Sequence, residues 1–228
     1  MSKQHIKRLT VPKTWVLLRK EHKFVTRPNP GPHSFKFSVP VSLVLKELGY
    51  ASSTKEARKI LNSKSILVDG RRIKDVKFPV GLMDTVNIKD VAGFFRMVLD
   101  VKGRLKILPI KESETSVKLS RVNNKKIVSK NRIQLNLFDG KNILTDKKDI
   151  KTSDSLMLKL PSLGIEDVLK FEKNAFVLLI GGRHMGVFGS IEGIDDKKIK
   201  IKSDTKTFLA EKRFCFVVGK DKEVVQLK

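Results

Sequence analysis

The sequence predicts an α+β fold, mostly β, with a basic extension at its start. Three observations carry this. Apolar residues at helical spacing occur in only two short stretches, near 41–48 and 54–62. From Val91 onward short alternating runs follow one another, separated by turn signals such as Asp-Gly, Asn-Asn and Gly-Gly. Before both, residues 1–40 hold five prolines and few apolar side chains.

Taken in order, residues 1–40 carry nine lysines and arginines against one acid, Glu21. Lys3, His5, Lys7, Arg8, Lys13, Arg19, Lys20, Lys23 and Arg27 are the candidate polyanion contacts of this segment. Trp15, Phe24, Phe35 and Phe37 are interleaved with the charges, placed to dock on the body or to stack on unpaired bases. So little apolar surface is expected to leave the segment unfolded by itself, ordering only on assembly with a partner. His5, His22 and His33 share no metal-ligand spacing with acids or cysteines and read as polar contacts.

Val41, Val44, Leu45 and Leu48 form one apolar stripe, and Gly49 supplies a helix stop. Ser53 and Glu56 then have the spacing of a capping box, so a second helix starts at Thr54. On it Lys55, Arg58, Lys59 and Asn62 share one face, and Ala57, Ile60 and Leu61 the other. Ser65–Val68 is β-prone, and Asp69-Gly70 is a strong hairpin signal because a type I′ turn needs φ > 0 twice. The returning strand carries Arg71, Arg72 and Lys74. A cationic helix face beside a cationic hairpin makes a clamp for a phosphate backbone. Phe78–Asp84 is a turn-rich crossing, and Thr85–Ile88 a strand.

Further on, Asp100–Gly103 joins two strands, Asn123-Asn124 and Asp139-Gly140 are turns, and 132–137 and 155–160 alternate. Lys118, Lys125, Lys126 and Lys130 read as a solvated face, part of it available to a polyanion. After Pro161 comes another β unit, with a buried-type strand at 175–180 and a glycine-rich loop at 181–189 that displays Arg183 and His184. That loop is not a P-loop, because no Gly-Lys-Ser/Thr ending and no helix pattern follow. Its glycines are expected to supply φ > 0 and a close backbone approach.

Composition narrows the partners. The chain has 228 residues, 48 lysines and arginines against 24 acids, and a formal net charge of +24. Such an excess attracts polyanions, with nucleic acid first and an anionic membrane as the rival. No apolar run approaches a membrane span, and no signal peptide is readable. Cys215, the single cysteine, reads as a small core hydrophobe. No nucleophile elbow, zinc motif or dinucleotide fingerprint is present, so no catalytic residue, metal ligand, cofactor or small-molecule substrate is assigned.

The helix and hairpin at 53–77 resemble the alpha-L RNA-binding motif. Val177–Ile194, VLLIGGRHMGVFGSIEGI, resembles the KOW motif of ribosomal and transcription-elongation proteins. The run His5-Ile6-Lys7-Arg8-Leu9, Pro12-Lys13-Thr14-Trp15, Arg27-Pro28 and Gly31-Pro32-His33 resembles the start of the e-type family of small-subunit ribosomal protein four. Phe78–Asp84 and Asp100–Arg104 match the same family. The resemblance implies four parts: a basic N-terminal extension (1–40), an alpha-L RNA-binding domain (41–90), a central β domain (91–170) and a KOW-containing SH3-like barrel (171–228). It implies a non-enzymatic constituent of the small ribosomal subunit, cytoplasmic, held by small-subunit ribosomal RNA and neighbouring ribosomal proteins. The stop at Lys228, without the tail of many eukaryotic members, suggests an archaeal-type form. A KOW-type elongation factor and an RNA-modifying enzyme with an alpha-L module are the alternatives.

Overall fold

The computed structural model describes residues 5–63, 65–88, 93–129, 132–195, 198–203, 206–220 and 222–227. The chain is mostly β, with two α-helices among the described residues. It divides into two units, one of residues through Val98 together with Arg104–Ser116, the other of Leu99–Gly103 together with Val117 onward.

In the first unit, β1 (His5–Lys7) pairs antiparallel with β2 (Phe24–Thr26). β3 (Ser38–Pro40) leads into α1 (Val41–Glu47). Proline at the helix entrance is tolerated because the first N–H groups have no intrahelical partner. α1 ends in a Schellman motif: Tyr50 N–H donates to Leu45 O at 3.0 Å, Gly49 N–H to Lys46 O at 3.1 Å, and Gly49 has φ +76°. α2 (Thr54–Ser63) follows and packs on α1. Then come β4 (Ile66–Val68), β5 (Arg71–Arg72), β6 (Pro79–Gly81), β7 (Thr85–Ile88), β8 (Gly93–Leu99) and β9 (Leu105–Pro109). β6 pairs with β3, so part of the expected crossing is a strand. The others form a five-stranded sheet in the order β5-β4-β7-β8-β9. Val44 and Leu45 of α1, Ala57 and Leu61 of α2 and Ile66 of β4 are wholly buried. Each larger one contributes about 1.5–3 kcal/mol by leaving water.

The extension does not stand apart from this core. Val11, Thr14, Trp15, Val25 and His33 are buried, Trp15 at 4 % exposure with its ring 5.5 Å from that of Phe35. The Leu105 N–H donates to Thr14 O at 2.7 Å, and Asn29 N–H to Lys77 O at 2.9 Å. His33 Nε2 lies 2.8 Å from Asp84 Oδ1, while Asp84 Oδ2 accepts the Gly81 N–H at 2.8 Å. This corrects the expectation of a segment that orders only on assembly. The segment owns few apolar residues, but the rest of the unit supplies the surface against which they pack.

Among its described residues the second unit holds two five-stranded antiparallel sheets. β10 (Val117–Ile127), β11 (Ile133–Leu137), β12 (Asn142–Thr145), β13 (Ser155–Lys159) and β14 (Gly164–Leu169) run in the order β12-β11-β10-β13-β14. β10 pairs with β13 through Arg121 and with β11 from Val122. The expected Asn123-Asn124 turn is instead a bulge where β10 changes partner. Lys118 is likewise not on a solvated face. It is wholly buried, with Nζ 3.0 Å from Asp139 Oδ2. β15 (Phe176–Leu179), β16 (Phe188–Ile194), β17 (Lys198–Lys202), β18 (Thr207–Glu211) and β19 (Cys215–Gly219) make the other sheet, ordered β18-β17-β16-β15-β19. Cys215 is wholly buried there, and burial pushes its thiol up to about 12. Among the described residues, no helix is long and apolar enough to cross a membrane.

Candidate nucleic-acid interface

The clamp starts from the cap of α2. Glu56 N–H donates to Ser53 Oγ at 3.1 Å, as the spacing requires. The reciprocal bond is shifted by one residue. Glu56 Oε2 accepts the N–H and the hydroxyl of Ser52, both at 2.8 Å. These bonds, the Ser52 N–H first, hold the Glu56 carboxyl below its usual range. The cap fixes where α2 begins, and so which residues face out. Ala57 and Leu61 are wholly buried and Ile60 is half-buried, while Lys55, Arg58, Lys59 and Asn62 are exposed.

The hairpin is built the same way. Asp69 and Gly70 have φ +50° and +76°, the left-handed pair a type I′ turn needs. The Asp69 carboxylate is buried and accepts the Thr85 N–H at 3.1 Å, which ties the turn to β7. β5 lies antiparallel to β4, with Arg71 opposite Val68 and Arg72 opposite Leu67. It is the edge strand of its sheet, so Arg71 and Arg72 are both exposed, and Lys74 beyond them as well. The unit therefore presents six cations and one amide from two adjacent elements of chain.

The extension divides into presenters and braces. His5, Lys7, Lys13, Lys20, Lys23 and Arg27 are exposed. Arg8 is spent on Glu21 at 3.0 Å, its side chain 11 % exposed. Arg19 donates to the carbonyls of Leu9, Val11 and Pro12 at 3.3–3.4 Å. Trp15 packs inward and offers no ring for a base to stack on. Lys3, like Lys130, lies outside the described residues. Lys36, left out of the candidate set, is exposed with its ammonium 5.2 Å from the Phe37 ring. Its signal was available: it sits between two aromatics.

In the second unit, Arg183 is exposed at the loop between β15 and β16. His184 is half-buried, its ring stacked on Phe208 at 4.2 Å and 20°. Gly182 and Gly186 have φ +78° and +90°, and a Cβ on Gly186 would collide with the Asp100 carbonyl. No group of three or more His, Cys, Asp or Glu able to hold a metal occurs among the described residues.

Three family models match consecutive stretches: the RS4NT (NUC023) domain over residues 2–36, the S4 domain over 40–86 and the ribosomal family S4e over 92–165. The chain is 38 % identical over 234 residues to the small ribosomal subunit protein eS4 of Methanothermobacter thermautotrophicus, covering 99 % of this chain and 96 % of that one. The chain belongs to the ribosomal S4e family. The eS4 protein of Archaeoglobus fulgidus is also 38 % identical, over 100 % of this chain and 99 % of its own. The crystal structure of the 30S ribosomal protein S4e from Thermoplasma acidophilum superposes with a TM-score of 0.70 at 28 % identity, covering 80 % of this chain and 95 % of that one. In this S4e chain the S4 domain match contains α1, α2 and the hairpin that carries the clamp.

Proposed function

We propose that this S4e chain is a structural constituent of the small ribosomal subunit that binds and stabilises folded ribosomal RNA during assembly and translation. The observation that carries the reading is the exposed row Lys55, Arg58, Lys59, Asn62, Arg71, Arg72 and Lys74 inside an S4 domain match. Cations on an edge strand and a helix face neutralise phosphates and release counterions, which supplies affinity independent of sequence. They read the shape and backbone of folded RNA more than its base edges.

In this reading the chain works in four parts: the extension (1–40), the alpha-L domain (41–90), the central β domain (91–170) and a KOW-containing SH3-like barrel (171–228). The five-strand order of β15–β19 and the glycine loop with Arg183 support the last of these. The extension's exposed cations His5, Lys7, Lys13, Lys20, Lys23 and Arg27 (the imidazole only when protonated) add a second stretch of RNA contact. The role is binding rather than catalysis, in the cytoplasm, with neighbouring small-subunit proteins as further partners. Sedimentation of the tagged chain in a cell extract tests this. It should travel with small ribosomal subunits; co-purification with RNA polymerase instead would favour an elongation factor.

A further inference from the structure

Where the two sheets of the second unit meet, cations converge that no sequence pattern groups. Two adjoining clefts, about 340 and 760 Å³, share Thr152 and Lys212. Lys125 and Lys151 line one side, and Lys198, Lys212 and Arg213 the other. Arg121 holds the two sides in register by donating to Arg213 O at 2.6 Å and Cys215 O at 3.1 Å.

Among the described residues two carboxylates line the clefts, and both are engaged. Asp154 is buried and accepts the N–H of Lys151 at 2.7 Å and that of Phe171 at 3.0 Å. Glu211 pairs with Arg213 at 2.6 Å. Lys125 Nζ donates to the carbonyls of Lys148 and Ile150 at 2.7 and 2.8 Å, fixing its wall of the groove. Among the described residues five cations line the groove against two acids, and Lys151 and Lys198 stand exposed along it. Lys212 lies 5.3 Å from the Phe171 ring, an aromatic ledge beneath a cation.

A compact anion needs donors aimed at one point. Here the charges are strung along two connected clefts, which suits a chain of regularly spaced charges. An aromatic ledge beside such a row suits a strand with unpaired bases. We infer that this groove is a second RNA-binding site, taking the phosphodiester backbone of a single-stranded segment, independent of the clamp in the first unit. The inference rests on the proposal that the chain binds ribosomal RNA.

The test uses the full chain, a labelled single-stranded RNA of mixed sequence, and anisotropy titrations across a salt series. Lys151→Ala/Lys198→Ala/Arg213→Ala should weaken binding about tenfold and reduce the slope of log K against log salt by about two, at roughly 0.7 per phosphate contact. The clamp variant Arg58→Ala/Arg72→Ala serves as the reference. If the clamp variant loses slope and the groove variant does not, the groove assignment falls and the RNA reading stands. If the wild-type chain shows no salt-dependent binding to this single strand but does bind a folded small-subunit ribosomal RNA transcript, the groove assignment falls and the RNA reading stands; no salt-dependent binding to either overturns both. A poly-glutamate peptide bound by the wild type but not by the groove variant, with RNA binding unchanged, would make the partner an acidic protein and overturn the inference. Lysine acetylation footprinting of the wild type needs no variant to fold. RNA should protect Lys151, Lys198 and Lys212, and equal labelling with and without RNA contradicts the site.

Discussion

Glu56 and Ser52 are joined twice, one carboxylate oxygen accepting both the backbone N–H and the hydroxyl of the serine at 2.8 Å. The bond pair closes the start of α2, the helix that displays Arg58. Because these bonds favour the anion, the folded carboxyl sits below its ordinary value of 4.5. A depressed carboxyl contributes stability that is complete above the unfolded value and disappears as pH falls through the folded one. Glu56→Gln should therefore melt below the wild type at neutral pH, and the gap should close as pH drops below that range. A melting-temperature gap that stays constant down to acid pH would show that the charge of Glu56 does not matter.

Trp15, the sole tryptophan, reports on the extension by itself. It is 4 % exposed against Phe35. In the free protein its fluorescence should be blue-shifted and poorly quenched by acrylamide, with no RNA present. Trp15→Ala should cost about 3–5 kcal/mol in denaturant unfolding. Emission typical of exposed tryptophan would return the extension to a segment that folds only on assembly.

Gly49 and Gly186 both have positive φ, but their surroundings differ. A Cβ on Gly49 meets open space, so Gly49→Ala should cost about 1–2 kcal/mol from backbone strain alone. A Cβ on Gly186 meets the Asp100 carbonyl and must displace backbone. Gly186→Ala should be clearly the more destabilising of the two in thermal melts. Equal losses would mean that the loop at 100–103 gives way freely.

Lys118 and Asp139 face each other at 3.0 Å, both buried, with Lys141 Nζ also 3.6 Å from Asp139. Asp139→Ala should cost about 3–5 kcal/mol, because it removes the carboxylate from beside a buried ammonium. Replacing both partners by apolar residues should cost less than that single change. A double variant as unstable as Asp139→Ala would argue that the pair itself, beyond its mutual compensation, holds the sheet.

What could be read from the sequence was local. The cap made by Ser53 and Glu56 and the left-handed turn at Asp69-Gly70 are local, so α2, its outward face and the hairpin follow directly from the order of residues, although the bond from Thr85 to the Asp69 carboxylate does not. The pairing that depends on distant strands did not follow. Asn123-Asn124 has turn chemistry, yet β10 runs through it because β11 and β13 flank it in succession. Lys118 looked like one more surface lysine until Asp139, far along the chain, came beside it. Arg8 and Arg19 read as free cations, but a carboxylate and three backbone carbonyls take them up. The groove cations come from four separate segments, and no window of sequence contains them together.

The proposed role depends above all on the outward face of α2 and the edge strand β5 holding RNA. Binding of the full chain to a small-subunit ribosomal RNA transcript, measured across a salt series for wild type and for Arg58→Ala/Arg72→Ala, tests this directly. The variant should keep its fold, bind more weakly to every RNA sequence tried, and flatten the slope of log K against log salt by about one to two. An unchanged slope in a folded variant would place those arginines against solvent or protein and contradict the clamp.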